Sequence, residues 1–329
     1  MQTLQLGPSD LHVTPFALGC WSFAGGRYWG EQDPALSIAT VHAALDAGIN
    51  FFDTAEAYET GASEQVLGQA LQGRRDRAII ATKVAPNHLA AAGVIAACEG
   101  SLRALQTDYI DLYLIHWPNW SVPLAETVAA LEQLKAQGKI RAIGVCNFGV
   151  QDLTEVLALH PIVTNQLPYN LLWRVIEREI LPVCLAHDVG LMCYSPLAQG
   201  LLTGRYASAG EVPDGLARTR HYAGSRAAAA HGELGCEAEV FAALAEIRAI
   251  AAEVGRSMAE VSLAWLRQQP GVATILVGAR TPQELALNLP ALELTLTPDV
   301  IARLNAVTEP VKAALGSNPD MWMVPSRMR

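Results

Sequence analysis

The chain of 329 residues predicts a TIM-type (β/α)8 barrel with an N-terminal β-hairpin and an extra C-terminal helix, all in one domain spanning residues 1–329. Three observations predict it. Short apolar runs alternate with helical windows eight times along the chain. The runs are continuously apolar, which is how strands read when both faces of a parallel sheet are buried. Three consecutive runs also end in titratable groups: residues 49–52 lead to Asp53 and then Tyr58, residues 78–82 to Lys83, and residues 109–115 to His116. In a parallel barrel such strand ends converge on one mouth, where this architecture builds its chemistry. A doubly wound sheet is the alternative, but the chain lacks the GxGxxG turn that would open one, and it lacks a Walker loop.

The elements follow in order. Residues 4–13 read as two short strands around the turn-rich Gly7-Pro8-Ser9-Asp10, a hairpin ahead of the barrel. Residues 16–21 make the first barrel strand, with Trp21 at its end as a wall of the mouth. Asp33 is a natural N-cap, Pro34 suits the first helical position and Gly48 follows the last turn, framing a helix on which Ile38, Val41 and Leu45 share one face. The alternation then repeats as strand 51–52 and helix 63–71, strand 79–80 and helix 90–105, strand 112–115 and helix 123–136, strand 142–145 and helix 151–159. Strand 162–166 precedes a helix around 177–187 that Pro182 must interrupt or restart, and strand 190–195 follows. Residues 206–235, rich in Ala and Gly, are too long for an ordinary connection and have the character of a functional lid or a mobile loop. Helices resume at 238–254 and 258–268, the second opened by a capping box of Ser257 and Glu260. The last strand is 273–277, a helix starts from Thr281, residues 297–315 add a helix outside the barrel, and the tail carries Trp322.

A hydrophobic content of 51% against 17% charged residues is enough to bury a large core, and excludes a disordered chain. The net charge of −9, with no basic run longer than Arg74-Arg75, speaks against nucleic acid or an anionic membrane as partner. The N-terminal residues form neither a basic region nor an apolar run, so the expected location is the cytoplasm. No apolar window is long enough to cross a bilayer. The six cysteines lack CxxC spacing and read as reduced, buried thiols. None of the eight histidines falls in an HxxxH or HExxH pattern, so no metal is expected. Self-association is compatible with this composition but is not legible in it.

A tyrosine, a lysine, an aspartate and a histidine at adjacent strand ends suit general acid–base work on a neutral polar group. The ordinary tyrosine pKa of about 10 is too high for efficient proton transfer near neutrality. An ammonium beside the phenol, itself fixed by the aspartate, is expected to lower that value, and His116 is expected to orient a substrate oxygen. The alternative makes Asp53 and Lys83 a buried structural ion pair, Tyr58 a rim aromatic and His116 a satisfied core histidine. Against it, four polar types at three consecutive strand ends would be a costly way to decorate a core. A retaining glycosidase would need two carboxylates about 5 Å apart, and a metal hydrolase more ligands than Asp53 and His116.

This set, Asp53, Tyr58, Lys83 and His116, resembles the catalytic tetrad of the aldo-keto reductases. The resemblance extends through Gly19-Cys20-Trp21, Asp53-Thr54-Ala55-x-x-Tyr58, Gly144-Val145-Cys146-Asn147-Phe148, Asn165-Gln166, Tyr194-Ser195-Pro196-Leu197 and Gly278-Ala279-Arg280, and so covers nearly the whole chain. It implies reduction of aldehydes or ketones with NAD(P)H, hydride passing to the carbonyl carbon while Tyr58 protonates the oxygen. It also implies that Asn147 and Gln166 hold the nicotinamide carboxamide and that Tyr194 stacks on the ring. Ser195, Leu197, Gln199, Gly200 and Leu201 would wrap the pyrophosphate, Gly278, Arg280, Glu284 and Asn288 would face the adenosine end, and Trp21 and Asp53 would border the cofactor. NADP(H) is favoured over NAD(H), because Arg280, Thr281 and a helix start suit an added phosphate. Glu284 opposes this, either by pairing with Arg280 or by repelling the phosphate.

Two positions depart from the family pattern: Cys146 stands where serine is common, and Glu284 where arginine or glutamine is common. The partner implied is a small-molecule carbonyl substrate in a pocket of Trp21, Tyr28, Trp29 and Trp117. The loops carrying Trp120, Trp173, residues 206–235 and Trp322 would set its identity. The same residues are compatible with a sugar (aldose) dehydrogenase using Tyr58 as base, or with a non-catalytic, cofactor-sensing subunit like the channel β subunits that resemble the family.

Overall fold

Residues 1–329 are described by a computed structural model, the side chains of residues 27 and 28 excepted. Strands β1 (Leu4–Gln5) and β2 (His12–Val13) pair antiparallel and form the expected hairpin. Gly7 joins them at φ +50, and a side chain there would strike the Val163 carbonyl, so the hairpin sits tightly on the bottom of the barrel.

The barrel then runs through β3 (Phe16–Gly19), α1 (Gly26–Trp29), α2 (Pro34–Asp46), β4 (Phe51–Asp53), α3 (Ala62–Ala70), β5 (Ile79–Val84), α4 (Ala91–Leu105) and β6 (Ile110–Ile115). It continues with α5 (Leu124–Ala136), β7 (Ile140–Cys146), α6 (Val150–Leu159), β8 (Thr164–Pro168), α7 (Ile180–Ala186) and β9 (Gly190–Tyr194). Two helices, α8 (Glu237–Val254) and α9 (Met258–Arg267), precede β10 (Val272–Gly278), and α10 (Pro282–Asn288) and α11 (Pro298–Leu315) complete the order. Strands β3 to β10 form a closed parallel barrel, β10 pairing with both β9 and β3.

Local signals explain the boundaries. The Asp33 side chain accepts the Ala35 N–H at 2.8 Å and Pro34 follows it. Ser257 and Glu260 close the expected capping box. The predicted helix at 177–187 splits, and α7 restarts at Ile180, which leaves Pro182 in a first turn where its missing N–H costs nothing.

Side chains alternate along the strands with period two. Phe51, Ala81, Leu112, Leu114 and Met192 fill the barrel interior, while Phe52, Ile80, Tyr113 and Ile115 pack outward under the helices. Residues 206–235 are folded down onto the barrel top, unlike the mobile loop considered from sequence. Arg220 is buried there, bonds both Glu233 carboxylate oxygens at 2.7 and 3.1 Å, and donates to the carbonyls of Asn318 and Leu315 at 2.8 and 3.0 Å. Those carbonyls belong to the C-terminal segment, so one buried guanidinium ties the cap to the tail. Trp173, expected among the aromatics that set the substrate, is instead fully buried against His221 beneath this cap.

Candidate active site

The inward parity of Phe51, Ala81 and Leu114 is shared by Asp53, Lys83 and His116, two residues further along each chain segment. The same parity on β7, β8 and β9 brings in Cys146, Gln166 and Tyr194, and Cys146 pairs in register with Gln166. Strand period therefore builds one polar layer at the mouth. Tyr58 arrives differently, on the turn after β4.

Lys83, fully buried, uses three donors: Asp53 Oδ1 at 2.8 Å, the Thr54 carbonyl at 2.6 Å and the Tyr58 hydroxyl oxygen at 3.2 Å. An ammonium has three N–H groups, so this set saturates it. Asp53 in turn accepts Gln166 Nε2 on Oδ2 at 2.8 Å. The His116 ring meets the Tyr58 ring edge-on at 5.8 Å, and Trp21 stacks on Tyr58 at 5.7 Å.

Burial lowers the Lys83 pKa, but Asp53 and then Tyr58 outweigh it and the value rises, so the group stays an ammonium. Burial pushes Asp53 up, against the pull of Lys83 and two hydrogen bonds. The sequence-based expectation for Tyr58 is corrected here. Burial, the largest influence, outweighs Lys83, and the phenol is pushed up to about 12 instead of down. His116 is held well below its ordinary value by burial and then by Lys83, so the imidazole is neutral.

A ring of contacts surrounds these groups. Asn147, in the left-handed region at φ 59, donates to the His116 carbonyl at 3.1 Å and accepts the Tyr194 hydroxyl at 2.9 Å. The Trp322 side chain lies against that hydroxyl. The Arg218 guanidinium sits 4.9 Å from the Trp322 ring and 5.5 Å from the Trp21 ring, which returns the circuit to Tyr58. Trp29 stands edge-on to Trp21 at 5.5 Å, and its buried Nε1 lacks a hydrogen-bond partner among the described residues. Trp117 lies under the Arg327 guanidinium at 3.7 Å, so one of its faces is covered by the tail. The Tyr28 side chain, expected in this pocket, lies outside the described residues.

A tetrad at three strand ends of a closed barrel can be set beside known proteins. The model of the aldo/keto reductase family matches residues 15–309. The chain belongs to that family. It is accordingly an NAD(P)H-dependent oxidoreductase. Aldo-keto reductase YhdN of Bacillus subtilis (strain 168) is 33% identical, with 87% of each chain covered. The NADH-specific methylglyoxal reductase of Escherichia coli (strain K12) is 32% identical over 90% of this chain and 95% of that one. Among solved structures, an aldo-keto reductase from Klebsiella pneumoniae in complex with NADPH is 34% identical, covers 93% of this chain and 95% of its own, and superposes with a TM-score of 0.74.

In this aldo/keto reductase the residues expected around a dinucleotide fall into two groups. Cys146 bridges the first: its thiol reaches Gln166 Oε1 at 3.5 Å and accepts Asn147 Nδ2 at 3.0 Å, and burial keeps it protonated. The thiol thus makes both of the links open to a serine hydroxyl at this place. The loop after β9 has left-handed backbone at Ser195, Ala198, Gln199 and Gly200, with φ of 52, 47, 55 and 95. Strained conformations at non-glycine residues concentrate at functional loops. Gln199 Oε1 is buried there without a partner among the described residues, an acceptor that a nucleotide hydroxyl could satisfy. Leu197 and Leu201 flank it. The residues present therefore fit the cofactor.

Where the sequence placed the adenosine end, one of its two alternatives for Glu284, side-chain pairing with Arg280, is corrected. Glu284 Oε2 accepts the Arg280 backbone N–H at 2.8 Å, while its own N–H goes to Thr281 Oγ1 at 3.1 Å, which makes it a capping residue and not an ion-pair partner. The Arg280 guanidinium reaches instead to Gln32 Oε1 at 2.7 Å and to the Glu31 carbonyl. Helix α10 is only seven residues long, opens on a proline that has no N–H and gives its Glu284 N–H to Thr281 Oγ1, so it offers no helix-terminal phosphate site. Gly278 is exposed beside it, and buried Asn288 bonds the Glu284 carbonyl at 2.9 Å.

Sequence reasoning missed Arg218, the Gln32 clasp and the Thr54 carbonyl. Only the last was within reach, since a buried ammonium needs three acceptors and Asp53 and Tyr58 supply two. Among the described residues, no helix is long and apolar enough to cross a membrane, and no cluster of His, Cys, Asp and Glu could hold a metal ion.

Proposed function

We propose that the chain, one domain over residues 1–329, reduces small aldehydes or ketones, with Tyr58 as the proton donor and neutral His116 orienting the carbonyl oxygen. The observation that carries this reading is the hydrogen bond from Lys83 to the Tyr58 hydroxyl oxygen at 3.2 Å. Because that oxygen accepts from Lys83, the phenolic proton is available to a substrate oxygen in the mouth. A phenol pushed up to about 12 is protonated at neutral pH and becomes a stronger donor only as charge develops on the carbonyl oxygen.

When bound, the reduced nicotinamide supplies the hydride. Asn147 and Gln166 would hold its carboxamide, Tyr194 would lie against the ring, and residues 195–201 would take the pyrophosphate. NADP(H) over NAD(H) is the proposed preference. It is supported by a guanidinium near the adenosine end and by Glu284, whose carboxylate is drawn onto the Arg280 backbone N–H and so is less able to repel a phosphate. The Gln32 clasp moderates the preference, since Arg280 already has acceptors.

The test is the loss of reduced-nicotinamide absorbance with a panel of aldehydes, ketones and sugars, together with dissociation constants for NADPH and NADH at one ionic strength. No carbonyl-dependent oxidation of either cofactor would reject the activity, and tighter NADH binding would reject the preference.

A further inference from the structure

We propose that Glu56 is a positioning residue of this reaction: by tying the turn that carries Tyr58 to the end of the strand that carries Lys83, its carboxylate fixes the place of the phenol in the mouth. The inference rests on the carbonyl-reductase reading above and adds a residue to it.

The groups of the mouth are not held in the same way. Asp53 and Lys83 stand on β4 and β5, which pair in register, and His116 directly follows β6, so the barrel ladder places all three. Tyr58 lies beyond β4, on a turn outside that ladder, where its backbone N–H makes a local bond to the Ala55 carbonyl at 3.1 Å. Directly after it Glu59, Thr60 and Gly61 run through the left-handed region at φ 45, 52 and 89. Such a conformation is unfavourable for a β-branched threonine and persists only where the surroundings impose it.

Glu56 ties this turn down. Its Oε1 accepts the Ala85 N–H at 2.6 Å and lies 3.0 Å from His88 Nδ1. Ala85 is buried and stands two residues after Lys83, so the carboxylate bridges the segments of the two groups whose contact, at 3.2 Å, underlies the proton transfer. The His88 side of the tie is 45% exposed and contributes little, whereas a buried N–H left without an acceptor is costly. The far end of the tie is itself anchored. Asn119 Nδ2 donates to the Pro86 carbonyl at 2.7 Å and Thr127 Oγ1 to the Leu89 carbonyl at 2.7 Å, which braces residues 85–89 against helix α5 and the loop before it. Because that loop follows His116, the segments after β4, β5 and β6 are stitched together along the rim.

The experiment follows NADPH oxidation with the fastest carbonyl compound of the panel above, beside NADPH dissociation constants from protein fluorescence and melting temperatures. Glu56→Ala should lower kcat about 10- to 100-fold, the effect of a small misplacement of a reacting group, with KM and NADPH affinity little changed. Glu56→Gln, whose amide oxygen still accepts the Ala85 N–H, should recover most of the loss. Ala85→Pro removes the donor instead; the φ of −69 there suits the ring, and kcat should fall as it does in Glu56→Ala. This second route decides the matter if Glu56→Ala is too unstable to assay. Tyr58→Phe and the double variant Glu56→Ala with Tyr58→Phe should turn over at the same rate, since a residue that acts only through the phenol hydroxyl adds nothing once that group is gone. Native kcat in Glu56→Ala or in Ala85→Pro, beside a slow Tyr58→Phe, would overturn the proposal and leave the reductase reading standing. So would a loss carried by KM or by NADPH affinity, a glutamine variant as slow as the alanine one, or a double variant slower than Tyr58→Phe by the full Glu56→Ala factor, each of which marks a general structural role. Absence of turnover with every compound of the panel, or a near-native Tyr58→Phe, would reject the reductase reading itself and the proposal with it.

Discussion

Lys83 donates to the Tyr58 hydroxyl oxygen at 3.2 Å while Asp53, at 2.8 Å, holds the same ammonium in place. The phenol therefore carries its proton on the side away from Lys83. Removing the hydroxyl alone should leave fold and cofactor affinity intact. Tyr58→Phe is expected to lower turnover roughly 10²- to 10⁴-fold, the usual contribution of a positioned acid. Steady-state rates beside a cofactor dissociation constant measure it, and near-native carbonyl reduction would remove Tyr58 from the proposed role.

The raised Tyr58 pKa sets a sign for pH. The reducing direction needs the protonated phenol, which is present below its pKa and lost as pH rises through about 12. Reduction should accordingly be nearly flat between about pH 6 and pH 9, whereas alcohol oxidation, which needs the phenolate, should climb with pH. Lys83→Met should cut both directions severely. It also leaves Asp53 buried without its cation, a loss of about 3–5 kcal/mol that a lower melting temperature would report. A reduction profile falling steeply near neutrality in the native enzyme would contradict the buried-phenol assignment.

His221, buried in the cap with Nδ1 at 2.9 Å from Thr219 Oγ1 and Nε2 at 2.9 Å from the Leu172 carbonyl, is pushed down to about 4 by burial. Its folded pKa lies below the unfolded value of 6.5, so its contribution is complete above 6.5 and is lost as pH falls toward 4. Each pH unit in that window should cost up to about 1.4 kcal/mol, with His116 adding in the same direction. Melting temperatures from neutral to acid should fall less steeply for His221→Asn than for the native chain, although the variant starts lower. Parallel slopes would show that His221 does not govern acid stability.

Cys146 links Asn147 and Gln166 through its thiol. Cys146→Ser replaces a weak sulfur donor with a hydroxyl that makes the same two contacts, so fold and turnover should persist and cofactor affinity should hold or rise by a few fold. Cys146→Ala, which breaks both links, should weaken cofactor binding more than the serine variant does. Identical dissociation constants for the two would show that the bridge does not orient the amides.

Much of this protein was legible along the chain. Strand periodicity, caps such as Asp33 and Ser257, and the polar ends of three successive strands determined the barrel, the inward parity of Asp53, Lys83 and His116, and the resemblance carried by the tetrad. These are local properties, set by neighbours a few residues away. What the tertiary structure decided are properties that depend on groups brought from afar. Burial reversed the direction of the Tyr58 shift, because desolvation is set by everything packed around the ring and not by the nearest charge. Arg280 found Gln32, a partner 248 residues away in sequence, leaving Glu284 to cap its own helix. The segment 206–235 is ordered because Arg220 reaches the Leu315 carbonyl 95 residues on, and Trp173 disappears beneath it. No periodicity encodes such pairings, since a charge is satisfied by whichever acceptor the closed barrel places within hydrogen-bond reach.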